Sequence, residues 1–306
     1  MMAVTYILYN PYSGGPEAKA ALKALRASRH DAVAINICRI SRYQTFFDGL
    51  EPDAAVILCG GDGTLNHFAN GVQGIDIKNE LYYFPTGIGN DFARDIRQKP
   101  FSESPVCINP YLKKLPCVNV KGERHLFLNN VGFGIDGYCC EFGDMLREKN
   151  EESERFKPLN YAKIAVRSLL FHYKPRTASV SVDGRPYTFR RVWLATVMNG
   201  RFYGGGMMAA PEQDRLRRDG KVSLVVFRGV GKLRALMIFP SIFSGKHTKY
   251  KKHMTILEGS SIRVGFDRPT PLQVDGETFP NTTAYSVLSD GTSRFTASER
   301  RIIPAV

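Results

Sequence analysis

Apolar positions in the first third of the chain fall into short, nearly continuous runs separated by amphipathic stretches. Residues 4–9 and 54–59 are bounded by turn residues and read as strands buried on both faces, and 32–38 reads as a third. Residues 16–28 are rich in Ala, Leu and Lys at helical spacing, and Leu65, Phe68, Ala69 and Val72 recur at the spacing of a helix face. This alternation predicts a parallel sheet with helices on its faces. From about Cys117 the pattern changes to β-branched and aromatic runs at 124–130, 178–182, 187–197, 221–227, 261–266 and 283–288, which predict an antiparallel sheet or sandwich. Helical insertions are expected near 137–154 and 159–172, and 231–244 carries a helix-like apolar period. The expected boundaries are 1–116 for the α/β domain and 117–289 for the β-rich one, with the tail 290–306 available to rejoin the first.

Size and charge narrow the picture. A chain of 306 residues with 43% hydrophobic and 23% charged content suits two soluble globular domains. The longest apolar segment, 233–243, is interrupted by Arg234 and Pro240 and is too short to span a bilayer. The start of the chain lacks a signal-peptide pattern, so a cytoplasmic protein is expected. Six cysteines without a C-x-x-C pair predict reduced thiols rather than a zinc or disulfide framework. The net charge of +13 calls for an anionic partner or a solubility role. Lys246, Lys249, Lys251 and Lys252 follow the apolar residues 236–243, as a surface touching anionic lipid requires, and a solvated charged face explains them equally well. No basic and aromatic interleaving points to nucleic acid.

The candidate chemistry lies on the turns after the predicted strands. Gly60-Gly61-Asp62-Gly63-Thr64 joins a buried strand to a helix, and glycines there let backbone N–H groups approach an anion at the helix N-terminus. Asp62, expected on an exposed loop, makes sense beside phosphates if a divalent cation such as Mg²⁺ sits between them. A tight structural turn would use the same residues. Asn10-Pro11-Tyr12-Ser13-Gly14 and Thr86-Gly87-Ile88-Gly89-Asn90-Asp91 are further loops at that sheet edge, where open α/β sheets bind ligands. Asn90 and Asp91 are placed either to cap a helix or to face a metal. No Walker nucleotide motif is present. Asp275 and Glu277 are one residue apart and share a side if the segment is extended, whereas a simple Asp-Gly hairpin turn is the alternative.

Read in order, these segments resemble the diacylglycerol kinase catalytic family in its compact bacterial lipid-kinase form, related to sphingosine and ceramide kinases. The resemblance rests on the three loops above with Asn70-Gly71 and Phe92-Ala93-Arg94, on Gly132-Phe133-Gly134-Ile135-Asp136, on Asn199-Gly200 with Tyr203-Gly204-Gly205-Gly206-Met207, and on Asp275-Gly276-Glu277. It implies an α/β nucleotide-binding domain with a parallel sheet like that of NAD kinases and phosphofructokinases, followed by a β-sandwich-rich domain with helical insertions. It implies ATP contacts from Asn10, Pro11, Tyr12, Ser13, Gly14, Ser41, Gly60, Gly61, Asp62, Gly63, Thr64, Thr86, Ile88 and Asn90. Asp62, Asp91 and Asp136 would organise the catalytic Mg²⁺, and Glu277, with Asp275 second, would accept the proton. A further Mg²⁺ would take Asp219 and the carbonyls of Leu216 and Lys221.

The implied function is ATP- and Mg²⁺-dependent phosphorylation of a lipid hydroxyl, with diacylglycerol the leading acceptor, by a cytoplasmic enzyme peripherally bound to anionic membrane. An NAD kinase-like enzyme and a catalytically weak anionic-membrane-binding protein are the alternatives. A homodimer stays open. The chain departs from the family at Arg218, where aspartate is frequent, at His67, usually glutamate, and at Ile88, often a threonine contacting ATP, which leaves Thr86 or Ser41 to supply a hydroxyl.

Overall fold

The computed structural model describes residues 4–29, 31–96, 104–151 and 173–292. The chain divides into two compact units, Met1–Lys113 and Lys114–Val306. In the first unit β1 (Thr5–Tyr9) leads to α1 (Pro16–Ala27), which opens with a proline in its first turn, where the missing N–H costs nothing. β2 (Val33–Asn36) is shorter than the expected strand over 32–38. Asn36 accepts a hydrogen bond from the Cys38 N–H at 3.0 Å and turns residues 37–39 into a 3-10 helix. There follow α2 (Tyr43–Asp48), β3 (Ala55–Gly60), α3 (Asp62–Gly71), β4 (Glu80–Pro85), α4 (Asp91–Ile96), β5 (Val106–Cys107) and α5 (Asn109–Leu112). The sheet order is β2-β1-β3-β4-β5, parallel except for the β4–β5 pair. Central strand β3 is buried along nearly its whole length, as its unbroken apolar run requires.

The second unit is antiparallel and β-rich, as its pattern predicts. β6 (Cys117–Val120) and β7 (Glu123–Leu126) precede β8 (Asn130–Gly134), and α6 (Ile135–Glu151) follows. The single strand expected over 124–130 is therefore two elements with a break between them. The insertion expected at 159–172 lies outside the described residues. β9 (Arg176–Val182), β10 (Arg185–Met198), β11 (Phe202–Tyr203), β12 (Met207–Met208) and β13 (Val222–Arg228) lead to α7 (Lys232–Ile238). Pro240, without an N–H, ends the α-helical part of 231–244, and two 3-10 turns, Phe239–Ser244 and Lys246–Lys249, carry the chain on. β14 (Met254–Gly259), β15 (Ser261–Val274) and β16 (Glu277–Leu288) complete the unit.

β10 and β15 each run for 14 residues and serve two sets of partners. Residues 194–198 and 272–274 pair with β8, whereas residues 185–192 and 262–266 pair with β9. Register shifts at 189/192 and 265/270 bend the two strands between these partners. A core of Val118, Phe133, Val180, Val197, Val264, Val287 and their neighbours fills the space enclosed. A second cluster collects the apolar stripe of α6 (Ile135, Cys139, with Tyr138 and Phe142 against it), Trp193, and Ala235, Ile238 and Ile242. Among the described residues no helix is long and apolar enough to cross a membrane.

Candidate functional site

Three loops leave the C-terminal ends of β1, β3 and β4 and are stitched together. The Asn10 side chain donates to Thr64 Oγ1 at 3.1 Å, the Gly61 N–H donates to Ser13 Oγ at 3.1 Å, and the Thr86 N–H donates to the Gly60 carbonyl at 2.9 Å. Asn90, at φ 48°, folds back so that its side chain exchanges two hydrogen bonds with the backbone of Gly87. Gly61 and Gly87 are in backbone contact: a Cβ on Gly87 would stand 2.5 Å from the Gly61 Cα. Gly63 differs, since a Cβ there meets nothing within 4 Å.

Asp62 is half-buried rather than on an exposed loop. Its carboxylate accepts the N–H groups of Asp91 at 2.7 Å and Phe92 at 3.0 Å, so it caps α4 from another loop and takes the role the sequence offered to Asn90 and Asp91. Asp91 itself is buried, with Oδ1 3.9 Å from Arg94 Nε. A carboxylate has about four acceptor positions, so two N–H bonds leave Asp62 able to bind a cation. α3, in contrast, has no side-chain cap. Of the first-turn N–H groups that no helix can satisfy internally, that of Gly61 goes to Ser13, while those of Asp62, Gly63 and Thr64 receive no side-chain cap. Next to them is a recess lined by Asn10, Ile37, Cys38, Ile40, Tyr43, Gly63, Thr64 and His67. Ile88 and Tyr12 project into solvent, 85% and 86% exposed, and Ser41 is exposed and not part of that lining.

In the second unit Asp275 and Gly276, at φ 46° and 93°, form the two-residue turn between β15 and β16, with Val274 paired to Glu277. The extended-segment expectation is thus replaced by its hairpin alternative. The Asp275 carboxylate accepts the N–H groups of Leu128, Asn129 (2.8 Å) and Asn130 (2.9 Å). Those three groups are drawn off any strand ladder, which explains why 124–130 breaks. Asn199 and Arg215 hold the same stretch by donating to the Leu128 carbonyl, and Arg215 also reaches Asn129 Oδ1 at 2.6 Å. The side chain of Glu277, exposed at the start of β16, makes no hydrogen bond or ion pair among the described residues.

Asp136 is buried at the start of α6. It accepts from the Gly137 N–H at 2.9 Å and from Gln273 Nε2 at 3.3 Å, and Gln273 Oε1 accepts from the Gly276 N–H at 3.0 Å. Burial pushes its carboxyl up to about 6 despite these bonds. The Gly132-Phe133-Gly134-Ile135-Asp136-Gly137 segment uses its glycines for close packing: side chains at 132, 134 and 137 would run into Thr196, the Trp193 carbonyl and the Pro271 carbonyl. Among the described residues no group of three or more His, Cys, Asp or Glu side chains stands together as a metal cage. Asp62, Asp91 and Asp136 nevertheless each offer the oxygen donors that Mg²⁺ takes a few at a time, and their chemistry fits it.

The second expected Mg²⁺ does not fit. Arg217 forks onto Asp219, with Nε at 2.6 Å from Oδ1 and Nη2 at 3.1 Å from Oδ2, and also onto Glu258 at 3.0 and 2.9 Å. The Lys221 carbonyl accepts from Gln213 Nε2 at 3.0 Å. A guanidinium already supplies the positive charge, holding the Asp219 and Glu258 carboxyls below their ordinary values. The closing cation is Arg217, not its exposed neighbour Arg218.

Lys246, Lys249, Lys251 and Lys252 are exposed, while His247 in their midst is buried, with Nε2 at 2.9 Å from the Ala209 carbonyl and burial lowering its pKa, so the ring is neutral. His247 shares an apolar cavity with Ile135, Trp193, Phe227, Ile238, Ile242 and Met254. Apart from Ile135, these residues, with Arg215 and Gln273, carry no motif, because they come from many elements. The one available signal was a histidine inside an apolar and basic run.

Comparison with known proteins agrees with this layout. The family model for the diacylglycerol kinase catalytic domain matches residues 5–114, and that for the YegS C-terminal NAD kinase beta sandwich-like domain matches residues 130–292. The "Putative lipid kinase YtlR" of Bacillus subtilis (strain 168) is 27% identical over 241 residues, covering 72% of this chain and 73% of that protein. A protein named diacylglycerol kinase from Mycobacterium tuberculosis (strain H37Rv) is 24% identical over 254 residues, 79% of each chain. A solved structure of a diacylglycerol kinase from Bacillus anthracis (strain Sterne) superposes with a TM-score of 0.56 at 19% identity, covering 94% of this chain and 93% of that one, and shows the shared fold.

Proposed function

Since the chain belongs to the family that joins the diacylglycerol kinase catalytic domain to the YegS-type C-terminal domain, and is therefore a nucleotide-using kinase, we propose that it transfers the terminal phosphoryl group of ATP to a lipid hydroxyl, with diacylglycerol the leading acceptor. The carrying observation is the N-terminus of α3, which follows the glycine loop, has no side-chain cap and borders a recess that Gly63 and Thr64 help to line. Such a terminus favours phosphate through its hydrogen-bond donors and its dipole. The recess with Ile37, Ile40 and Tyr43 beside it suits the less polar part of a nucleotide.

Phosphoryl transfer needs positioning and charge neutralisation more than covalent help. Mg²⁺, for which Asp62, Asp91 and Asp136 are each candidate ligands, would supply the neutralisation. Glu277 takes the proton of the acceptor hydroxyl as that oxygen bonds to phosphorus and ADP leaves, and Asp275 holds the turn that carries Glu277. The name of the mycobacterial relative supports diacylglycerol as the acceptor. Lys246, Lys249, Lys251 and Lys252 keep the enzyme on anionic membrane, each contributing up to about 1 kcal/mol near the surface at low salt.

The test is ADP release in mixed micelles with diacylglycerol, sphingosine, ceramide, undecaprenol or NAD as acceptor, with and without Mg²⁺. Mg²⁺-dependent turnover on diacylglycerol is expected. Turnover on NAD alone, or on none of the five, overturns the reading.

A further inference from the structure

A helix lying on a protein surface ordinarily turns its polar side outward. α7 does not. Ala235 and Ile238 face the core, only 0% and 3% exposed, yet Leu233 and Met237, one turn apart, are 77% and 78% exposed. Pro240 extends this outward stripe at the next turn, and Phe243 is 43% exposed. Single exposed apolar side chains are common on soluble proteins, but an aligned stripe on a helix whose other face is already apolar is not. The charge around it has one sign: Lys232, Arg234, Lys246, Lys249, Lys251 and Lys252 occur between residues 231 and 253, and no Asp or Glu does.

We propose that α7 is a membrane-inserting element: Leu233 and Met237 enter the acyl region of an anionic bilayer while the surrounding Lys and Arg residues engage lipid headgroups. A second copy of the chain is a poor occupant, since a two-fold contact would set this positive surface against itself. The bilayer offers what both features need, apolar depth beneath negative charge. The placement has a consequence for the lipid-kinase reading, on which its purpose rests. Ile238, on the inward face of the same helix, lines the apolar cavity with Phe239, Ile242 and His247. α7 therefore brings the apolar interior of the second unit within the thickness of one helix of the bilayer that holds the acceptor.

The full chain is co-sedimented with phosphatidylcholine vesicles, with and without phosphatidylglycerol, at low and high salt. Leu233→Gln/Met237→Gln should weaken binding to phosphatidylglycerol vesicles about tenfold or more at both salt levels, because apolar burial is not screened. Changing Lys246, Lys249, Lys251 and Lys252 to glutamine should instead remove the part that salt already weakens. Turnover on a short-chain soluble acceptor should survive both changes. As a direct readout, the indole emission introduced by Leu233→Trp should shift to the blue on anionic vesicles and be quenched by brominated acyl chains, whereas the chain's one natural tryptophan, Trp193, is buried and constant. Unchanged vesicle binding by the double glutamine variant, or an unshifted emission from the Leu233→Trp variant, overturns the proposal, as does an altered oligomeric state without altered vesicle binding. Vesicle insertion without turnover on any lipid would instead sink the lipid-kinase reading and leave the insertion standing.

Discussion

The glycine-loop edge of the first unit and the Asp275 turn of the second use one device to opposite ends. In both, a motif aspartate receives backbone N–H groups: two for Asp62 and three for Asp275. At the first edge Asp62 caps α4 and the N-terminus of α3 has no side-chain cap, so the proposed chemistry falls to backbone. At the second, Asp275 consumes the N–H groups around it and holds the turn that carries Glu277, whose side chain is left without a partner among the described residues, so the proposed chemistry falls to a side chain. A carboxylate inside a motif can thus be scaffold while its neighbour stays free for the proposed reaction.

The largest effects are expected where the two members of the Asp275-Glu277 pair are substituted in turn. Glu277→Gln should lower turnover by about 10² to 10⁴ with ATP affinity and melting temperature unchanged, because it removes a proton acceptor from an exposed position. Asp275→Asn should lose activity together with stability, since an amide nitrogen cannot accept and buried N–H groups left unpaired cost about 1–3 kcal/mol. Steady-state kinetics beside calorimetry decide this. A stable, inactive Asp275→Asn with a near-normal Glu277→Gln reverses the roles.

The first edge is probed by Gly63→Ala. The added methyl meets no protein atom and alanine favours helix, so melting should hold or rise slightly, while ATP affinity measured calorimetrically should fall by about tenfold, or about 1.4 kcal/mol. Unchanged ATP affinity would mean the open N–H groups do not meet phosphate.

Asp136 gives a pH signature specific to the second unit. Its carboxyl is pushed up to about 6 from 3.8, so the folded chain holds this proton more tightly than the unfolded chain does. The resulting stability is complete below about pH 4 and is lost as pH rises through about 6, a difference of about 3 kcal/mol. Denaturant unfolding of the wild type and Asp136→Asn across that range should diverge accordingly, the variant lacking the decline. Parallel curves would show that Asp136 ionises normally.

The smallest expected effect concerns Arg217. Without nucleotide, exchanging EDTA for Mg²⁺ should leave the wild-type melting of the second unit unchanged. Arg217→Gln frees Asp219 and Glu258 and should create a Mg²⁺-dependent rise of about 2 °C. A Mg²⁺-dependent rise in the wild type would show that an ion displaces the guanidinium.

Much of this protein was determined by its sequence alone, for a local reason. Apolar runs of period suited to a buried parallel strand, followed by Gly60-Gly61-Asp62-Gly63-Thr64, specify a strand, a turn and a helix with little help from elsewhere, and the change of pattern near Cys117 marks the antiparallel half. What the tertiary structure decided is the partner of each polar group. Asp62 and Phe92 are 30 residues apart, Asp275 and Leu128 are 147 apart, and Arg217 and Glu258 are 41 apart. Periodicity reports which face of an element is buried, but not which distant N–H or guanidinium a carboxylate will meet. For the same reason the strand expected over 124–130 broke where Asp275 claimed its amides, β15 and β16 ran on through Pro271 and Pro280 because bulges absorbed them, and α7 showed its second apolar face only once Ala235 and Ile238 were seen to be already buried.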